Sequence, residues 1–553
     1  MDYKKLAELL YPEVDKDIDY YMTKYPARNL PVGAEVTRFA PSPTGYLHFG
    51  GLYQAVIGYF VAKTTGGTFY LRLEDTDQKR QIADAGTALY HALTSFDIVP
   101  DEGYTGDNTP DVGNYGPYVQ SNRVDIYKCF AKHLVSIGRA FPCFCDKAES
   151  KDDVLKRRVE ELDESETITD HDDCRNLSYE EVESNIKAGK KWALRLKSVG
   201  DPSKTFEFTD EIKGKREIRY NAKDIVIMKN NGIPPYAFAH LVDDTLMHTT
   251  TVVRGEEWYQ SVAAHVELFD AFGLKHPKYA HTPVLCKLDN GNKRKLSKRK
   301  DVEADARYFL DKGYPVDAII SYLVNIVNSD YEEWAKNNQD KSVWDFELKL
   351  SKIGSNNPMF DFDKLNDYSK SYIATLSAQE LYDKTYAWAK LYDNDFATYM
   401  KTNKDYVLQV LNIDRDVQKP RKDIIYYSMV KEYFDYMFSP VTDLTYDFSV
   451  FPKYDKELLC KIINNYALSF DAKLDKNAWF ESIKELAQKL GFCTDNKEYK
   501  ANPDKYQGNT ADICAVIRYA FTGRLNTPDL YSICVILGHD ELVHRATYIE
   551  SII

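Results

Sequence analysis

The sequence predicts an α/β fold, a doubly wound parallel sheet, joined to an all-α half, and three observations carry that prediction. From Thr37 to Asp77 a short strand, a glycine-punctuated loop, a helix and a second strand follow one another. Their span, about 40 residues, is that of a right-handed βαβ unit. The sheet pattern breaks off near 115 in a stretch of different composition and resumes at DIVIMK (224–229). Beyond Asp301 the apolar periodicity is helical, with many Tyr and Lys.

Taken in order, residues 1–34 read as helix and then turns (KYPARNLPVG), an extension with no chemistry of its own. Thr37 to Ala40 is a strand, broken by the prolines and glycines of APSPTGYLHFGG. Leu52 to Lys63 reads as a buried helix that TTGGT stops with a glycine signal. TFYLRLEDTD then forms a second strand ending in acids. The stretch KAESKDDVLKRRVEELDESETITDHDDC is densely charged, read as a solvated helix and a loop inside an insertion. From DIVIMK the sheet pattern runs on through PPYAFAHLVDDTLMHTTTVVRGEEW. Then come a helix (SVAAHVELFDAFG), a strand (YAHTPVLCK) and a basic loop. SKIGSNNPMFDFDK reads as a linker. The predicted organisation is an extension (1–34), a sheet domain in two halves (35–115 and 231–300) around an insertion (116–230), and helical domains at 301–375 and 376–553.

Composition narrows the function classes. A chain of 553 residues is long enough for about three or four domains. Its 44% hydrophobic and 28% charged content is that of a soluble globular protein. No apolar run approaches the roughly 18 residues that span a bilayer. The start, MDYKKLAELLYPEVDKD, has no apolar h-region and is too acidic for a transit peptide. The expected compartment is the cytoplasm, with no membrane partner. A net charge of -13 excludes a globally basic coat for nucleic acid but leaves room for a local basic groove. The nine cysteines, an odd number, read as reduced thiols, with metal ligation open.

Two constellations carry chemistry. In RFAPSPTGYLHFGG (38–51) a strand feeds a glycine-marked helix start, where free N–H groups and the helix dipole favour an anion. His48 adds a donor, and Gly50 and Gly51, without Cβ, let a nucleotide lie on the backbone. KRKLSKRKD (293–301) gathers Lys287, Lys293, Arg294, Lys295, Lys298, Arg299 and Lys300 on and beside one loop. Mobile ammonium groups there can neutralise a triphosphate and release pyrophosphate. Taken singly, each could be an ordinary loop.

The pair, HFGG after the first strand and KLSKR after the last, resembles the paired signature of class I aminoacyl-tRNA synthetases. RFAPSPTGYLHFGG, FYLRLEDTD, VVRGEEW and KLSKR, in that order, resemble the glutamyl-tRNA synthetases of bacterial type. The resemblance runs from about Val36 to Arg299 and continues more weakly through the helical half. It implies a class I synthetase fold: a Rossmann-like catalytic domain, an α+β insertion meeting the acceptor stem, a helical stem-contact domain and a helical anticodon-binding half. A glutaminyl enzyme would carry a PPEPNG-like run in place of APSPTG, and a truncated base-modifying paralogue would lack the C-terminal half.

The resemblance also implies site residues. Glutamate needs guanidinium forks for its carboxylates and an acid for its ammonium. Arg38 and Arg254 suit the carboxylates, in an order the sequence leaves open, and Glu74 suits the ammonium. Ser42 and Tyr236 add hydroxyls, with Ala40 beside them. Where some members have Asn, this chain has His240, either a donor to substrate or a packed histidine behind the pocket. On the nucleotide side, the phosphates fall to His48, Lys295 and Lys298, with Ser297 in the same loop. Glu257 would hold the ribose, and the backbone near Leu285 would meet adenine. Gly50 and Gly51 floor that site. Magnesium is expected to enter with ATP. Asp75 and Asp77 need not converge on a metal of their own.

Some members hold zinc in the insertion. Cys143, Cys145 and Cys174 supply three thiols here, while the fourth position falls on Asp170 or Asn176, with His171 out of register. Zinc and metal-free thiols both stay open. Arg415, Lys419, Arg421, Lys422, Arg518 and Arg524 are candidate RNA contacts in the helical half, or ordinary helix-surface charge. The resemblance implies ATP-dependent attachment of L-glutamate to tRNA(Glu) through a glutamyl-adenylate, by a monomer. It leaves open tRNA(Gln) as a second substrate, or a catalytically idle tRNA-binding paralogue.

Overall fold

The computed structural model describes residues 1–76, 82, 84–145, 172–297 and 299–553. The chain forms two compact units, one of Met1–Tyr308 with Ile320–Asp361, the other of Phe309–Ile319 with Phe362–Ile553.

The first unit opens with helices α1 (Tyr3–Leu10) and α2 (Ile18–Lys24). Strand β1 (Val36–Phe39), helix α3 (Phe49–Thr64) and strand β2 (Thr68–Leu71) follow, and every residue of both strands is buried. Strands covered on both faces belong in the middle of a parallel sheet. β1 pairs with β2 in parallel from Val36↔Thr68 to Phe39↔Leu71, and β2 pairs with β3 (Glu102–Gly103). Helix α4 is Ala85–Ser95 and α5 is Val124–Ser136. The inserted region adds β4 (Ala140–Cys143), β5 (Ala193–Leu196), β6 (Thr205–Asp210), β7 (Gly214–Arg219) and β8 (Val226–Met228). β9 (Thr251–Gly255) and β10 (Lys278–Thr282) then pair in parallel over their full length. β9 lies alongside β1, with Thr250 N–H donating to the Val36 carbonyl at 3.0 Å. The strand order is therefore β3–β2–β1–β9–β10–β6–β7. Strand order reverses between β1 and β9, which makes their carboxyl ends the switch point where open α/β sheets bind ligands.

Four readings of the sequence change. The second strand stops at Leu71 instead of running through the acids, because Arg72 and Glu74 turn into a buried polar network; the adjoining Asp77 lies outside the described residues. DIVIMK does not resume the central sheet, since β8 pairs antiparallel with β5 in the small β4–β5–β8 sheet. The central sheet takes in the β6–β7 hairpin instead, through Tyr279↔Asp210. PPYAFAHLVDDTL is a helix, Tyr236–Leu246, burying Phe238, Leu241, Val242 and Leu246 at helical spacing. YAHTPVLCK is broken at Pro283: β10 ends, and β11 (Cys286–Asp289) with β12 (Asn292–Lys295) forms a separate antiparallel hairpin.

The linker-like stretch is packed too. Cys286 N–H donates to the Pro358 carbonyl at 2.9 Å and Phe360 N–H to the Cys286 carbonyl at 2.7 Å, pinning 357–360 to the hairpin. The charged helix expected over about 147–170 lies outside the described residues. The extension is tied to the rest of this unit: Lys132 pairs with Glu8 and Lys128 with Glu13, at 2.9 and 2.8 Å. Arg28 grips Glu102 with both Nη groups at 2.8 and 3.0 Å.

The second unit is helical and has two apolar cores. One gathers Leu381, Met400, Val407 and Val430, the other Ile462, Trp479, Ile517 and Cys534. Three of the basic groups considered for RNA hold this unit together. Arg415 donates to the carbonyls of Leu411, Ile373 and Leu376. Arg518 donates to Thr527 and Pro528, and Arg524 to Glu432, Tyr433 and Asp435. Arg421 pairs with Asp423, Lys422 Nζ reaches Ser371 Oγ, and Lys419 is exposed.

Candidate active site

The site is built where β1, β9 and the Tyr236–Leu246 helix meet. Arg38, on β1, is buried; its Nε lies 3.4 Å from Asp244 Oδ2 and its Nη1 donates to the Val253 carbonyl at 3.2 Å. Arg72, fully buried, donates Nη1 to Asp244 Oδ1 at 2.6 Å and Nη2 to Glu74 Oε1 at 3.0 Å. Asp244 thus links Arg38 to the arginine that holds Glu74. Burial opposes its charge, yet Arg72 and Arg38 hold the Asp244 carboxyl well below the usual range. Burial raises the Glu74 carboxyl despite both arginines. The neighbouring Asp243 accepts from Arg123 Nε at 2.6 Å, Tyr127 OH at 2.8 Å and Gln120 Nε2 at 2.9 Å, fixing the helix from its other side.

Arg254, near the end of β9, is held differently. It donates Nε to His281 Nε2 at 3.0 Å, and Nη1 lies 3.1 Å from His265 Nδ1 and 3.3 Å from Tyr236 OH. Nη2 reaches the Trp258 carbonyl at 3.4 Å, and the guanidinium sits 4.7 Å from the Tyr279 ring centre. These partners are neutral, since burial pushes His265 and His281 below the usual histidine range. His240 joins the two arginine centres. Its Nε2 is 2.9 Å from Tyr279 OH, its Nδ1 is 2.5 Å from Asp244 Oδ2, and its ring stacks on Tyr236. Fully buried and pushed down to about 4 by desolvation, it is neutral with both nitrogens facing protein groups. Of the two readings of His240, this geometry favours the packed one. Ala40 follows β1, half-buried, and Ser42 is exposed on the loop beyond.

The second centre is the α3 N-terminus. His48 is its N-cap, with Nδ1 accepting from Gly50 N–H at 2.9 Å. Gly50 supplies the N–H of this cap. A Cβ on Gly50 would stand 3.1 Å from His48 Nδ1, and one on Gly51 would pack inward on Leu47 and Phe39. Ala306 N–H donates to the Leu47 carbonyl at 3.1 Å, and His48 bridges Asp305, so the segment after KLSKR lies against the HFGG turn. The chain just beyond the second motif thus returns to the first, about 250 residues away in sequence.

In the β11–β12 hairpin not every cation is mobile. Arg294 is locked to Asp301 by both Nη groups at 2.6 and 2.7 Å and to Asp289 at 2.6 Å. Lys287 pairs with Glu303. Asp301 also accepts from Ser297 N–H at 2.9 Å. Lys295 is exposed at the end of β12, and Lys298 lies outside the described residues. The Leu285 carbonyl accepts from Leu296 N–H at 3.1 Å, closing the hairpin base. Glu257 is exposed, its carboxylate lying over Gly255, where a Cβ would meet Oε2 at 2.2 Å.

A family model described as tRNA synthetases class I (E and Q), catalytic domain, matches residues 35–367. The glutamate–tRNA ligase of Acetivibrio thermocellus is 43% identical over 550 residues, covering 99% of each chain. That of Clostridium perfringens is 41% identical over 547 residues, covering 99% of this chain and 100% of its own. The chain belongs to the glutamate–tRNA ligase family of class I synthetases. In fold it resembles a crystal structure of a glutamate tRNA ligase from Elizabethkingia meningosepticum in complex with its amino acid. The TM-score is 0.71 at 24% identity, over 94% of this chain and 99% of that one.

Within this synthetase fold the inserted thiols converge. The sulfurs of Cys143, Cys145 and Cys174 lie within 4.8 Å of one another, with Cys145 and Cys174 at 3.4 Å. Against its burial, hydrogen bonds from Cys145 and Arg195 lower the Cys143 thiol, whereas burial and the neighbouring thiols push Cys145 up to about 12. Of the candidate fourth ligands, Asp170 and His171 lie outside the described residues, and Asn176 is described. The sequence reading missed Arg72, Asp244, Asp243, His265, His281 and Asp210. Arg72 carried a signal, a basic residue within a strand-like run, but two of its three acidic partners, Asp243 and Asp244, lie more than 170 positions away.

Proposed function

We infer that this protein attaches L-glutamate to tRNA(Glu) in an ATP-dependent reaction that passes through glutamyl-adenylate, for protein synthesis. The observation that carries the reading is the buried pair of arginine centres at the sheet's switch point, next to a helix N-terminus capped by His48. A dicarboxylate with an ammonium matches that charge pattern: Arg38 and Arg254 take carboxylates and Glu74 the ammonium. Tyr236 and Ser42 complete the pocket, with Ala40 lining it.

An α-carboxylate oxygen of glutamate attacks the α-phosphorus of ATP, the bond to the bridging oxygen breaks, and pyrophosphate leaves. A ribose 2′ hydroxyl of the tRNA's terminal adenosine then attacks the acyl carbon, and AMP departs. No protein nucleophile is needed; the residues position and neutralise. We assign the phosphates to His48, Lys295 and Lys298, with Ser297, the ribose to Glu257, and the adenine to the backbone near Leu285. Magnesium, entering with ATP, supplies charge neutralisation on the phosphates. Three gathered thiols fit three corners of a tetrahedral zinc site, and we assign Cys143, Cys145 and Cys174 that structural role. The insertion 116–230 is read as meeting the acceptor stem, 301–375 the stem, and 376–553 the anticodon. The protein works in the cytoplasm as a monomer.

The test is ATP–pyrophosphate exchange with glutamate and with glutamine, each with and without tRNA, followed by charging of purified tRNA(Glu) and tRNA(Gln). Exchange with glutamate alone, dependent on tRNA, and charging of tRNA(Glu) are expected. No exchange under any condition, with tRNA still bound, would overturn the reading in favour of an idle RNA-binding protein.

A further inference from the structure

Arg254 is the one of the two substrate-facing arginines with no carboxylate among its described partners. Arg38 and Arg72 share Asp244, whereas Arg254 is surrounded by His281, His265, Tyr236 and the Trp258 carbonyl. The acid that belongs to this group stands one imidazole away. His281 Nδ1 is 2.6 Å from Asp210 Oδ2, and both side chains are buried. A carboxylate only accepts, so the proton sits on Nδ1 and Nε2 presents its lone pair to Arg254 Nε–H at 3.0 Å. Asp210 is itself fixed: its Oδ1 accepts from Ile212 N–H at 3.0 Å and Lys213 N–H at 2.8 Å. With Oδ1 so engaged, Oδ2 is the oxygen left for the imidazole. Burial lowers the His281 pKa, which keeps the ring neutral near pH 7.

We propose that Asp210 and His281 are positioning residues for Arg254, a relay that fixes the direction of the guanidinium while leaving its charge whole for a substrate carboxylate. A direct Asp–Arg pair would fix the direction equally well but would cancel the charge that binds a carboxylate. Interposing a neutral imidazole separates the two functions. Asp210 belongs to β6, in the inserted region, so the hairpin that joins the sheet edge also orients the glutamate site. The proposal rests on the reading of Arg254 as a glutamate ligand.

The test uses the full-length enzyme in tRNA-supported ATP–pyrophosphate exchange, with separate KM values for glutamate and ATP. Asp210→Asn is nearly isosteric. Its oxygen stays on the backbone N–H groups and its amide donates to His281 Nδ1, which moves the ring proton to Nε2 and sets donor against donor at Arg254. A rise in glutamate KM of about tenfold or more, with ATP KM unchanged, is expected. His281→Ala should do the same, and His281→Gln, whose amide oxygen can accept from Arg254, should recover part of the loss. A normal glutamate KM in Asp210→Asn, or His281→Gln no better than His281→Ala, overturns the relay. Should Asp210→Asn fail to fold, the two His281 variants decide alone. Arg254→Ala separates the two layers: unchanged glutamate KM there sinks the Arg254 reading itself, whereas a raised KM there with normal Asp210→Asn sinks only the relay.

Discussion

Arg72 donates to Asp244 across 2.6 Å with neither side chain exposed, and the same carboxylate lies 3.4 Å from Arg38. Two buried cations therefore share one acid, 206 positions from Arg38 in sequence. Breaking such a group is costlier than the group is worth, because Arg38 would lose the carboxylate it is paired with and Arg72 would keep only Glu74 and Asp243, all of them buried.

Asp244→Asn should accordingly destabilise the protein by about 3–5 kcal/mol. Urea unfolding of the purified variant measures it. Because the Asp244 pKa lies well below its unfolded value, its contribution is complete above the ordinary carboxylate range and is lost as pH falls through the folded pKa. The difference between wild type and Asp244→Asn should therefore shrink only in strong acid. A constant difference down to the acid limit would contradict the network.

The three buried imidazoles give a second pH effect of the same sign. His240, His265 and His281 all have lowered pKa values, so the unfolded chain takes up protons that the folded one refuses. Stability should fall from about pH 7, where the unfolded histidines begin to titrate, down to about pH 4, where folded His240 takes up its own proton. His240→Asn, which cannot titrate, should flatten part of that slope in urea midpoints taken across the range.

Glu74 makes the opposite kind of shift, and it reports on binding. Its pKa is raised by burial, so it loses charge at a higher pH than an ordinary glutamate. Glutamate KM should climb on the acid side as the ammonium's counter-charge disappears. Glu74→Gln should show a high KM at every pH and no acid limb. A wild-type profile in that variant would remove Glu74 from the pocket.

Asp301 ties Arg294 to the Ser297 N–H and so shapes the loop that carries Lys298. Asp301→Asn should slow adenylate formation by about tenfold and raise ATP KM, with glutamate KM unchanged. Single-turnover kinetics with each substrate varied separates these outcomes, and a change confined to glutamate KM would contradict the assignment.

Zinc is checked by metal analysis of purified protein. About one zinc per chain is expected, falling well below that in Cys145→Ser. Full occupancy in Cys145→Ser, or none in wild type, would remove the thiol cluster from the zinc reading.

The sequence by itself determined the local and ordered features. The βαβ start, the glycine-marked turn at HFGG, the basic KLSKR loop and the helical second half are visible because turn residues and apolar period act over a few positions. The order of four motifs pointed to the synthetase family for the same reason. Tertiary structure alone decided which strands share a sheet. DIVIMK and FEFTD both have strand character, and only packing sends the first to β5 and the second to β10. Packing also decided what each charge does. Arg294, Arg415 and Arg518 look like RNA or phosphate ligands in a one-dimensional list, yet their donors are satisfied inside the fold. Conversely Asp244, Asp210 and His281 carry no motif, and their roles arise because the fold brings one helix and two strands from distant segments to one switch point. Pattern reports propensity and spacing. The partner of a buried charge is set by the fold, since desolvation makes an unpaired one too costly to keep.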